Sequence, residues 1–164
     1  MATSSESSTR ARAAWRGRLG DSKIADDDAT VARYARTTQA DAPKPCCILY
    51  PESTEDVQAI VRVASEYGVV VYPISRGKNW GYGDATAPTA DAAIVDLSRM
   101  DRIEEVNTTL AYCVIGPGVS QGQLDRYLSE NKTGLWMDST AAGPESSLVG
   151  NTVDRGFGHT RYGD

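Results

Sequence analysis

Polar residues dominate the first forty-four positions, and apolar residues then fall into short runs and helical periods. Thr9 to Leu19 predicts a short helix closed by Gly20, behind a frayed Ser/Thr-rich stretch over residues 1–8. Asp26, Asp27 and Asp28 predict a second helix running to about Arg36, because acidic side chains suit the positive end of a helix dipole. Residues 41–45 read as a loop into a core. Cys46 to Tyr50 is a short apolar run ended by Pro51. Ser53 and Asp56 have the form of a capping box, and Val57, Ile60, Val61, Ala64 and Tyr67 recur at helical spacing up to Gly68. That glycine stands where a C-cap belongs. Val69 to Tyr72 is continuous and β-branched, as in a buried strand. Residues 46–72 thus predict a strand–helix–strand unit, a parallel pair joined by a right-handed crossover.

Farther along, Ala93–Leu97 and Leu110–Ile115 read as strands, and Gly116-Pro117-Gly118 turns the chain. Ser120 and Gln123 form a second capping box before a helix carrying Leu124, Tyr127 and Leu128. Leu135 to Met137 predicts one more strand. There is no internal repeat, and one βαβ unit followed by further strands and helices makes an α+β class.

Length and charge narrow the function. The 164 residues suffice for one ordinary domain but are few for an enzyme holding a large cofactor and a substrate domain. Acidic residues outnumber basic ones 22 to 17, for a net charge of −5, which argues against nucleic acid or an anionic membrane surface as the main partner. No apolar run approaches the ~20 residues of a membrane span, and the N-terminus lacks the apolar core of a secretory signal. Three cysteines, two of them adjacent, do not make a disulfide framework; Cys46, Cys47 and Cys113 read as small apolar residues in a reducing, cytoplasmic setting. One histidine, no CxxC and no EF-hand spacing give no metal site.

The informative segment follows the Val69–Tyr72 strand: Ile74, Ser75, Arg76, Gly77, Lys78, Asn79, Trp80, Gly81, Tyr82, Gly83. Ligands of α/β units gather at the carboxyl ends of parallel strands. Glycines let a loop curl so that several N–H groups converge on an anion, and Arg76 and Lys78 add positive charge. The spacing G-x-x-x-G-x-G is neither the usual dinucleotide fingerprint nor a Walker sequence. The loop alone therefore fits both a structural turn and a pyrophosphate cradle. A second cluster, Gly143, Gly150, Gly156, Gly158 and Gly163, places five glycines in 22 residues against the usual ~7%. Ser146 and Ser147 could open a short helix there whose N-terminus faces a ligand. Two glycine-dense segments around a folded stretch suit one cofactor held between two lobes.

Four blocks, YPESTEDVQAIVRVA, VYPISRGKNWGYG, AYCVIGPGVSQGQL and GNTVDRGFGHTRYGD, taken in this order resemble the FAD-binding domain of the vanillyl-alcohol oxidase and 4-cresol dehydrogenase (p-cresol methylhydroxylase) family. The resemblance covers roughly residues 45–164, with residues 1–44 as an N-terminal arm. It implies a PCMH-type two-lobed fold whose first lobe is the βαβ unit and whose second lobe is incomplete in this chain. It implies FAD as cofactor, wrapped at the pyrophosphate by Ile74, Ser75, Arg76, Gly77, Lys78, Asn79, Trp80 and Gly81. Gly143, Ser147, Gly150, Asn151, Val153, Gly156 and His159 would line the other side. Tyr82 falls at a family tyrosine that binds a substrate phenolate; a half-buried loop aromatic is the alternative. His159, between Gly158 and Thr160, reads as a structural hydrogen-bonding group beside the cofactor.

The resemblance implies oxidation of a para-substituted phenol or related alcohol by hydride transfer to flavin, with a small aromatic substrate and a homo-oligomeric assembly. One departure stands out. Trp136-Met137-Asp138 is followed by Ser139-Thr140-Ala141-Ala142, so Ala141 stands where the vanillyl-alcohol oxidase branch carries a carboxylate near the reactive flavin nitrogen. Family members are longer and carry a substrate-capping domain, so the chain is expected to be an N-terminal fragment, inactive alone. A non-catalytic remnant or interaction module, or one chain of a split flavoprotein, is the alternative expectation.

Overall fold

The computed structural model describes residues 4–38, 40, 42–78, 84–138, 140–156, 158, 159 and 161. Its centre is a four-stranded sheet in the order β1-β2-β4-β3, built from β1 (Ile24–Ala25), β2 (Cys47–Leu49), β3 (Val71–Ile74) and β4 (Ala93–Asp96). β2, β4 and β3 run parallel and β1 is antiparallel to β2. The two strands of the expected βαβ unit are thus parallel but not neighbours, because β4 lies between them. Burial explains the order. All four residues of β4 are buried, whereas β3 is half-exposed and carries Pro73, which has no N–H to give a second neighbour. A proline strand belongs at the edge.

Alternation along the strands divides the core into two layers. Cys47, Leu49, Ala93 and Val95 face α1 (Ser4–Leu19) and α3 (Thr54–Tyr67), meeting Ala11, Trp15, Ile60 and Val63. Ile48 and Ile94 face the other way, onto Tyr34 of α2 (Asp28–Tyr34) and Ala87. The Ser53 hydroxyl accepts from the Asp56 N–H at the start of α3, and Gly68 ends it at φ 67°, as the capping pattern requires. α1 begins five residues before the expected Thr9. Its Ser8, Ala11 and Trp15 are buried at helical spacing, and Trp15 Nε1 donates to the Ile60 carbonyl at 3.1 Å. Packing against α3 orders a stretch whose own composition favours fraying. α2 is shorter than the run to Arg36, and its cap is Asp27, whose side chain accepts from Thr30 N–H at 2.9 Å.

A second, smaller unit carries an antiparallel pair, β5 (Ile103–Asn107) and β6 (Tyr112–Ile115), and α4 (Gln121–Glu130), around Val119, Leu124 and Leu128. β5 is not legible by alternation because a register shift between Ile103 and Glu105 breaks the period. The expected strand at Leu135–Met137 does not form. Leu135 and Met137 pack against this core from a loop. The mixed sheet and the helices on its two faces confirm the α+β class. Among the described residues no helix is long and apolar enough to cross a membrane.

An ion pair fixes the start of α3. Lys23 Nζ lies 2.6 Å from Asp56 Oδ2, which also accepts from Glu52 N–H at 2.9 Å. Burial pushes the Asp56 carboxyl up, but the Lys23 bond and the backbone N–H donors outweigh it and hold the group below the usual carboxylate range. A depressed folded value means stabilisation present above the unfolded value, near pH 4, and lost as pH falls through the folded one. Urea midpoints of the wild type should therefore drop more steeply below about pH 4 than those of Asp56→Asn. Parallel curves would show that the pair contributes nothing.

Candidate cofactor-binding site

Most of the residues expected at the cofactor converge on one cleft of about 910 Å³. Ile74, Ser75, Arg76, Gly77 and Lys78 enter it from the carboxyl end of β3. Leu97 follows β4, and Pro117 follows β6. Ser147, Gly150, Asn151, Val153, Gly156 and His159 close the far side from α5 (Leu148–Val153) and the segment after it. Thr140, Ala141 and Ala142 form the remaining wall. The sequence motifs thus meet although more than sixty residues separate them. The carboxyl edge of a parallel sheet is where loops diverge and leave room for a ligand.

Three loops are stitched at the mouth by the two side chains that follow β3. Ser75 Oγ bonds the Pro117 carbonyl and lies 2.5 Å from Ser147 Oγ. Arg76 donates from Nε to the Glu145 carbonyl at 2.9 Å, from Nη1 to the Gly118 carbonyl at 3.0 Å, and from Nη2 to Glu145 Oε2 at 2.8 Å. Arg76, read from the sequence as adding positive charge for a pyrophosphate, lines the cleft with its guanidinium turned to carbonyls and a carboxylate of the protein. Among the described residues of the cleft wall, Lys78 and Arg155 carry further positive charge, alongside the carboxylates of Asp84 and Asp154.

Glycines permit this seam at close quarters. Gly118 packs so near the turn after β4 that a Cβ would lie 2.4 Å from the Leu97 carbonyl oxygen, and one on Gly116 would lie 2.1 Å from that of Met100. Gly77 has φ +62°, and a Cβ there would stand 2.9 Å from the Ala85 Cβ. Its glycine is required by backbone and packing, which shape the loop from behind.

Gly143 does not line the cleft; its carbonyl accepts from the N–H and hydroxyl of Ser146 behind the wall. α5 forms, but it has six residues, and Ser147 Oγ takes the Gly150 N–H at 2.8 Å. The cap is satisfied within the protein. His159 is an exposed member of the cleft lining. Asn79, Trp80, Gly81 and Tyr82 lie outside the described residues. Leu97, Pro117, Thr140, Ala142, Asp154 and Arg155 were not singled out from the sequence, since nothing local distinguishes a residue that only folding brings to a cleft.

The residues present fit FAD. Ile74, Leu97, Ala141, Ala142, Val149 and Val153 supply apolar walls for a planar ring, and Lys78 and Arg155 supply charge for a pyrophosphate. The volume is in the range of small-molecule and cofactor sites. Among the described residues no group of three or more His, Cys, Asp or Glu is placed to hold a metal.

The geometry makes two substitutions separable. Arg76→Ala should cost about 1–3 kcal/mol of stability, because two carbonyls lose a charged donor. Glu145→Gln should cost less than about 1 kcal/mol, since that carboxylate is 69% exposed and water screens it. Denaturant unfolding reads both; equal losses would mean that the ion pair, not the carbonyl bonds, carries the seam. Gly77→Val should add strain of about 1–3 kcal/mol at the loop.

Residues 45–164 match the family model described as "FAD binding domain". The chain is 45% identical over 150 residues to 1'-carboxy-chondrochloren decarboxylase of Chondromyces crocatus, covering 91% of this chain and 28% of that protein. It is 30% identical over 153 residues to the flavoprotein subunit of 4-cresol dehydrogenase [hydroxylating] of Pseudomonas putida, covering 92% and 29%. Among solved structures, p-cresol methylhydroxylase with bound substrate superposes with a TM-score of 0.91 at 29% identity, over 96% of this chain and 31% of the other. The 4-ethylphenol oxidase of Gulosibacter chungangensis in its isoeugenol complex superposes at 0.90 with 34% identity, over 97% and 31%. The chain thus spans under a third of the length of these relatives. With its match to that model, a fold shared with p-cresol methylhydroxylase and a cleft that fits FAD, the chain belongs to the FAD-binding domain family.

Proposed function

We propose that the chain is the cofactor-binding portion of an enzyme that oxidises a para-substituted phenol or related alcohol. The observation that carries this reading is the convergence of Ile74–Lys78 and Ser147–Gly156 on one cleft, in a fold shared with p-cresol methylhydroxylase. Bound FAD would supply two-electron oxidation. The protein's part is to hold and orient it: Lys78 and Arg155 for the phosphates, Ala141, Ala142 and Val149 against a ring, and the Arg76 seam to keep the loops at fixed spacing. Tyr82 is proposed to donate to the substrate phenolate. A reducing, cytoplasmic setting is part of the proposal, supported by three free cysteines.

A specific observation favours a second reading of the substrate. The wall at Thr140-Ala141-Ala142 has no carboxylate, and Thr140 Oγ1 accepts from Gln121 Nε2 at 2.7 Å. That wall offers no acid or base to add water to an oxidised substrate. The relative at 45% identity is named a decarboxylase. A carboxylated phenol whose oxidation ends in loss of CO2 needs no such base, since the departing carboxylate supplies the electron pair.

Three measurements test these readings. Flavin fluorescence titration should show FAD binding to the chain and at least about 10-fold weaker binding by Gly77→Val, a difference of about 1.4 kcal/mol. Undiminished affinity in that variant would remove the loop from the site. In the parent enzyme, Tyr82→Phe should lower kcat/KM for a 4-alkylphenol by about 10- to 150-fold, as loss of a hydrogen bond to a charged group does, with flavin content unchanged. Release of labelled CO2 from a carboxylated 4-alkylphenol under turnover would select the decarboxylative reading; hydroxylated product with the label retained would reject it.

A further inference from the structure

We propose that Cys46 and Cys47 form a peroxide-sensitive dithiol, in which Cys46 is oxidised first and Cys47 then closes a vicinal disulfide on it. Successive residues of a strand normally point to opposite faces. Cys46 stands just before β2, and its side chain turns to the same face as that of Cys47: both pack on the cluster of Ala11, Trp15 and Val95. The two Sγ atoms are 3.8 Å apart. Cys47 is fully buried and Cys46 partly exposed, so an oxidant from solvent meets one thiol and the other waits behind it.

The surroundings select which sulfur reacts. The bond from Cys47, opposed by burial and by Asp91 and aided by the Arg12 guanidinium, draws the Cys46 thiol below its ordinary range. Cys46 and burial push Cys47 well above it. Arg12 itself is held to Asp26 at 3.5 Å and donates to Thr9 Oγ1 at 3.2 Å, which keeps its charge on the inner side of α1. Cys113, on β6, has no such help; burial raises its thiol. Thiolate character and access decide oxidation.

The steps balance with hydrogen peroxide as the oxidant. The Cys46 thiolate attacks one peroxide oxygen; an S–O bond forms, the O–O bond breaks, and hydroxide leaves. Cys47 sulfur then attacks the sulfenic sulfur; S–S forms, S–O breaks, and the second hydroxide takes the Cys47 proton to leave as water. Two thiols are oxidised by two electrons and one peroxide becomes two waters. Adjacent Cα atoms stand about 3.8 Å apart, closer than in ordinary disulfides, so the ring is strained and readily reduced. The modification is reversible for that reason.

Mass spectrometric mapping of the folded chain after dilute peroxide tests this. The peptide holding Cys46 and Cys47 should lose two hydrogens and regain them with dithiothreitol, at a rate at least about 10-fold above oxidation of Cys113. Cys47→Ser should trap a dimedone-reactive sulfenic acid on Cys46, and Cys113→Ser should behave as wild type. The same treatment in denaturing urea should abolish the preference. Direct passage of Cys46 to sulfinic acid in the wild type, oxidation no faster than at Cys113, or a preference that survives urea would overturn the proposal.

Discussion

Arg76 holds the cleft together. Its guanidinium reaches carbonyls 42 and 69 residues away in the chain, at Gly118 and Glu145, and so joins the end of β3 to the two loops that form the opposite wall. Ser75 repeats the connection one residue earlier, to Pro117 and Ser147. A planar cation with a fixed fork of donors is suited to this, because it satisfies several loop acceptors at once. Loops at a sheet edge have unpaired carbonyls that must find donors. Here they find them in side chains, and the cleft lining also presents glycines, small apolar residues, Lys78 and Arg155.

Upstream, the sheet makes that edge possible. β4 occupies a central position because it is buried on both faces, and Asp96 at its end is the one buried carboxylate among the described residues. It accepts from the Tyr34 hydroxyl at 2.5 Å and from Ser98 N–H at 2.9 Å. Tyr34 belongs to α2, so the N-terminal segment reaches through the layer to steady the turn where β4 hands the chain to the smaller unit. Burial and the neighbouring carboxylate keep that phenol protonated far above its ordinary range. Gly116 and Gly118 then allow the turn after β6 to lie directly against that place.

Much of this was legible in the chain itself. Capping serines followed by Asp56 and Gln123, the helical spacing of Ile60 and Ala64, the glycine after Tyr67 and the run read as a strand at Ala93–Leu97, of which Ala93–Asp96 forms one, are local signals, because hydrogen bonds at a helix end and burial along a strand involve residues within a few positions. The glycine-dense blocks likewise marked the two sides of the cleft. Local pattern failed where pairing decided the outcome. A bulge hid β5, and Leu135–Met137 found no strand partner and packed as a loop.

By itself the sequence determined the helix caps, most of the helices and the apolar face of α3, for these depend on backbone geometry and neighbouring residues. Tertiary structure decided which strand takes the centre, that Cys46 and Cys47 share a face, and that Arg76 serves the protein's carbonyls. Each of those outcomes is a competition between partners far apart in the chain. A guanidinium and an anion-binding loop look alike in sequence whether the nearest acceptor is a phosphate or Gly118, and only folding brings that acceptor within 3.0 Å.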